Sequence, residues 1–159
     1  MFKVNRNVSH GQYKIKDLFP DIEKSPALGD IFKTDKKIEE ILTQTAVIVS
    51  DKPRYMKVDN ENGAVWVGYR HIRRSKAVIL YLDIIHELVH VQQHLDGLDL
   101  YDRSKAYVDR QTEIDAYAVT VKEARRIGLT DKQILDYLEV EWITPEEHLR
   151  LAGKLDVLS

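Results

Sequence analysis

The pattern of apolar and polar positions divides the chain into three stretches. Residues 1–34 carry Gly11, Pro20, Pro26 and Gly29 with little periodicity, and predict strand fragments and loops around a short turn at 17–19. From Asp35 the period becomes helical. Ile38, Ile41 and Leu42 recur among Lys36, Lys37, Glu39 and Glu40, which predicts a helix over about 34–45. Ala46-Val47-Ile48-Val49 is then a β-branched run closed by Ser50, Asp51 and Pro53, as expected of a buried strand. The runs 55–58 and 64–69 flank Asp59-Asn60-Glu61-Asn62-Gly63, whose Asn-Gly step adopts positive φ cheaply, and so predict a hairpin.

The third stretch is helical. Ser75 is a candidate N-cap for a helix running through Ile79, Leu82, Ile85, His86, Val89 and His90 to Gly97; Ala77-Val78-Ile79-Leu80 also fits a last strand feeding a shorter helix. Val108, Ala118, Val121 and Ala124 predict a helix over about 106–127, ended by Gly128. Thr130-Asp131-Lys132-Gln133 reads as a capping box for a helix to about Trp142, and Thr144-Pro145-Glu146-Glu147 repeats that signal. The expectation is one α+β domain over 1–159, with a small mixed sheet containing a hairpin and a helical C-terminal half.

Composition narrows the chemistry. With 24 basic and 26 acidic side chains the formal charge is −2, so no global field draws the protein to nucleic acid or to an anionic membrane. The first residues are polar and lack the apolar core of a signal peptide, so the expected location is the cytoplasm. No cysteine is present, which excludes thiolate metal sites and cysteine nucleophiles. Any metal must therefore rest on histidine and carboxylate.

The segment that offers such a site is His86-Glu87-Leu88-Val89-His90. Residues four apart on a helix share a face about 6 Å apart along the axis, so His86 and His90 can converge on one ion. Catalytic zinc keeps one of its four positions for water, which leaves one protein ligand to find. Glu87 sits one residue round from His86, where its carboxylate can reach a metal-bound water and act as general base. Glu113 is the candidate third ligand, because Ala116 and Ala118 nearby would let two helices approach closely. His94 lies about 12 Å from His86 on a straight helix, too far to share the ion.

These residues resemble the zincins, and within them the gluzincins, in which an HExxH helix supplies two histidines and a later helix a glutamate. His86 to His90 matches the first motif, and Glu113-Ile114-Asp115-Ala116 resembles the start of the second, ExxAD. The resemblance covers about 86–118. It implies a Zn2+ cofactor on His86, His90 and Glu113, Glu87 as catalytic base, hydrolysis of a peptide or protein substrate, and a substrate laid along an edge strand. The strand Ala64 to Tyr69 is the expected edge. One position departs from the pattern: Tyr117 stands where the family often has the aspartate that orients a ligand histidine. Asp115 and Asp83 are the candidates for that part, and the alternative is that Tyr117 faces the cleft. Tyr101, Tyr107, Tyr117, Arg110 and His148 are unranked candidates for stabilising a transition state. The alternative is a non-catalytic or latent zincin-like domain that binds metal and a protein partner, the latent form having segment 1–34 folded over the cleft.

Overall fold

The computed structural model describes residues 2–157. Strand β1 (Gly11–Lys14) runs into a single helical turn, α1 (Ile15–Leu18), followed by a 3-10 turn at Ile22–Lys24 and by α2 (Ala27–Phe32). The stretch expected to hold strand fragments and loops thus has one strand and short helical turns within 11–32, and no regular element over 2–10. Isolated helices of four or six residues do not persist in water. Here Ile15, Leu18, Ile22, Leu28 and Phe32 anchor them in the core, and tertiary burial replaces the missing local signal.

Helix α3 (Asp35–Gln44) begins where its pattern does, with the Thr34 hydroxyl accepting from the Lys37 N–H, and it buries Ile41 and Leu42. Strands β2 (Ala46–Ser50), β3 (Met56–Val58) and β4 (Val65–Gly68) complete a mixed four-stranded sheet in the order β1-β2-β4-β3. β1 is antiparallel to β2, β2 parallel to β4, and β3 antiparallel to β4. The hairpin is present, turning at Gly63 with φ +75°. Its second strand is the one that docks on β2. The expected edge at 64–69 is therefore incorrect: β4 is paired on both sides, and the edges are β1 and β3. Alternation cannot say which arm of a hairpin lies inside the sheet; the pairing of Val47 through Ser50 with Val65 through Gly68 does. Tyr69 is not strand but opens a short helix, α4 (Tyr69–Arg74).

Helix α5 (Ala77–Leu95) is the centre of the molecule, packed against α2, β3 and α6 (Gln111–Arg126). Leu80, Leu82, Ile84, Ile85 and Leu88 are wholly buried around it, as expected of a helix apolar on most sides. Ser75 does not cap it. Lys76 holds the N-cap position without a side-chain bond, and the Ser75 hydroxyl instead meets Nδ1 of His71 at 2.7 Å. α6 starts later than its pattern, after a 3-10 turn at Tyr107–Asp109. α7 (Asp131–Leu138) and α8 (Pro145–Lys154) carry the expected capping boxes at Thr130 and Thr144. α7 ends short of Trp142, because 139–143 turns to meet the lead-in of β3. Among the described residues no helix is long and apolar enough to cross a membrane.

Candidate metal centre

The three predicted ligands meet. His86 and His90 lie one turn apart on α5, and Glu113, in the first turn of α6, crosses to them. His86 Nε2 is 2.9 Å from Glu113 Oε1, His90 Nε2 is 3.1 Å from the same oxygen, and the two nitrogens are 3.1 Å apart. All three side chains are buried. Tetrahedral ligands at 2.0–2.1 Å from an ion are separated by roughly 3.3 Å. The triangle of donor atoms therefore already has nearly the size that one small ion requires, and the group could bind a metal ion. Close approach comes from Ala116, which is fully buried against α5; Ala118 is exposed and plays no part.

Electrostatics favours a carboxylate here. Burial alone would raise the Glu113 pKa, but hydrogen bonds and charge from His86 and His90 outweigh it and hold the group well below the ordinary range. For His90 burial acts downward, and the Glu113 carboxylate reverses it, lifting the imidazole to about 9. A negative charge and two imidazoles sharing one point would bind a cation in exchange for protons.

Gln93 was not expected in the site. Its Oε1 is 2.7 Å from His90 Nδ1 and accepts that N–H, while its Nε2 donates to the Thr112 carbonyl at 3.0 Å. One side chain thus holds the His90 Nδ1–H, leaving Nε2 to face Glu113 and to offer a lone pair to an ion once its proton is lost, and ties α5 to the residue preceding Glu113. Its place at i+3 from His90 was the available signal. His86 has no such brace. Among the described residues its Nδ1 is the one buried side-chain polar atom without a partner.

Neither carboxylate proposed to fill that gap does so. Asp115, expected beside the ligands, is instead exposed and accepts from Gln111 at 2.7 Å, because its position in the helix turns it to solvent. Asp83 accepts from His71 Nε2 and from the Tyr137 hydroxyl, both at 2.7 Å. Tyr117 faces inward: its ring lies 4.3 Å from that of His86, and its hydroxyl is 2.8 Å from the Tyr107 hydroxyl.

A cavity of about 590 Å³ opens on the cluster. α5 contributes Ile79, Asp83, His86, Glu87 and His90, a stripe at helical spacing. β3 and its lead-in supply Tyr55, Met56 and Lys57, and Tyr101, Tyr107, Tyr117 and Trp142 line it elsewhere. Burial raises the pKa of Glu87, an effect that His86 and His90 partly offset. Burial likewise raises Tyr101, Tyr107 and Tyr117, so all three remain neutral O–H donors. Arg110 and His148, two of the candidate stabilisers, lie outside: Arg110 donates to the Asp102 carbonyl and His148 to that of Leu135. His94 packs at the hairpin turn, where a Cβ on Gly63 would stand 2.7 Å from its ring. Residues 2–34 contribute none of the side chains that line the cavity. His71, given no part by sequence, lines the cavity beside Asp83.

Compared with protein-family models, with curated proteins and with solved structures, the chain matches none.

Proposed function

We propose that the chain is a zinc-dependent peptidase resembling the gluzincins, with the zincin-like arrangement of a sheet edge beside an HExxH helix. The observation that carries this reading is the convergence of buried His86, His90 and Glu113 at the floor of a cavity that Glu87 also lines. Two imidazoles and one carboxylate form a donor set suited to zinc in a catalytic rather than a structural site. Bound there, zinc would supply Lewis acidity toward a carbonyl and acidify a water molecule.

The chain's own residues supply the rest. Glu87 accepts the water's proton at a carboxylate oxygen and passes it to the leaving amine, a dual task to which its raised pKa is suited. The Tyr107–Tyr117 pair offers a neutral O–H donor for developing negative charge on the carbonyl oxygen. Met56, on the edge strand and in the cavity wall, would align an extended peptide by main-chain pairing.

The deciding experiment uses two variants. Glu87→Gln should abolish hydrolysis with zinc still bound one per chain, and His86→Ala should lose the zinc. Loss of metal from Glu87→Gln would make Glu87 structural. A non-catalytic metal-binding domain is the rival, motivated by the unbraced His86; it predicts zinc bound with no hydrolysis and a fourth protein ligand.

A further inference from the structure

The free edge of β3 is stopped at both ends. Gly68 N donates to Tyr55 O at 2.7 Å and Asp59 N to Ala64 O at 2.8 Å. In an antiparallel ladder the residues between such pairs turn their main-chain groups the other way, so those of Met56 and Val58 face away from β4. Val58 is engaged at its carbonyl, which accepts the Tyr101 hydroxyl at 2.5 Å, so it cannot form a full two-bond pair with an added strand. Tyr101 is held in place by the core and by the Lys57 ammonium, 4.7 Å from its ring centroid.

At the other end, Tyr55 Oη and Arg54 donate to Glu141 at 2.5 and 3.0 Å. The Trp142 ring stands 6.1 Å from that of Tyr55 and 5.5 Å from that of Tyr107, so the segment after α7 joins the lead-in of β3. Met56 remains as the residue of β3 whose N–H and C=O both face outward without a partner among the described residues. The cavity of about 590 Å³ lies within the roughly 300–1,000 Å³ of sites for small molecules.

We propose that Tyr101 determines substrate length: by occupying the Val58 carbonyl it confines an incoming peptide to one β-pairing at Met56, so the site takes short peptides rather than the interior of a long chain. The proposal rests on the peptidase reading above. Glu141 and Trp142 impose the same limit at the opposite end.

The test supplies the zinc-loaded full chain with peptides sharing one central sequence, from tripeptide to dodecapeptide. Wild type should cleave the hexapeptide with a kcat/KM at least about tenfold above that for the dodecapeptide, a difference of about 1.4 kcal/mol. Tyr101→Phe frees the Val58 carbonyl while keeping the ring, and should narrow the gap; Tyr101→Ala should narrow it further. Equal cleavage of both lengths by wild type overturns the proposal and leaves the peptidase reading standing, even where a variant fails to fold. An unchanged length ratio in folded Tyr101→Phe and Tyr101→Ala also overturns it. No cleavage at any length with zinc bound overturns the peptidase reading and this inference together.

Discussion

Gln93 offers the sharpest test of how the candidate metal centre is held. Gln93→Met keeps an unbranched side chain of similar length and removes both hydrogen bonds, the 2.7 Å contact with His90 Nδ1 and the 3.0 Å contact with the Thr112 carbonyl. Both lost partners are internal, so each bond is worth about 1 kcal/mol or somewhat more when its partner is left unsatisfied. The metal-free protein should lose about 2 kcal/mol, a fall in Tm of roughly 4–8 °C for a domain of this size. Losing a brace on a ligand histidine typically weakens metal binding by 10- to 100-fold, or about 1.4–2.7 kcal/mol. Competition against a chromogenic chelator measures this loss, and Gln93→Glu serves as control. A carboxylate still accepts the His90 N–H, so that variant should hold zinc nearly as wild type does even though it no longer donates to Thr112. Zinc affinity unchanged in Gln93→Met, or as weak in Gln93→Glu as in Gln93→Met, would refute the assignment of Gln93 as the orienting partner.

Other expectations follow from the same geometry. At Gly68 an added Cβ would stand 2.4 Å from the Arg54 carbonyl oxygen and 2.6 Å from that of Pro53. Backbone cannot give way as a side-chain tip does, so Gly68→Ala should cost about 1–3 kcal/mol, read as a lower urea midpoint. Asp109 binds Arg150 and Lys154 of α8, and hydrogen bonds from Arg150 first and Lys154 second lower its carboxyl to about 2 from the ordinary 3.8. A depressed folded pKa adds stability above the unfolded value and loses it as pH falls toward the folded one. Wild type should therefore lose more stability than Asp109→Asn between about pH 4 and pH 2, where denaturant titrations would compare them; parallel curves would remove the pair from the acid response. Tyr107→Phe should lower kcat and leave zinc affinity unchanged, since the Tyr107 hydroxyl meets Tyr117 and no ligand atom.

Much of the fold and of the site was legible because the relevant signals are local. The α3 period, the hairpin turn and the Thr130 and Thr144 boxes depend on residues within four of one another, and each appears where expected. The spacing of His86 and His90 likewise determines by helix geometry that they share a face. Glu113 was accessible because a missing ligand demands a carboxylate on a crossing element. What tertiary structure alone decided concerns relations between distant segments. Order in 2–34 comes from burial and not from periodicity. Which hairpin arm becomes an edge depends on docking against β2, and that choice leaves β3 rather than β4 with a free side. Gln93 as the brace on His90, Asp115 turned to solvent, and Tyr101 on the Val58 carbonyl depend on how α5, α6 and β3 are placed. A sequence specifies the direction of each side chain on its own element; the approach of two elements is set by the packing of all the others.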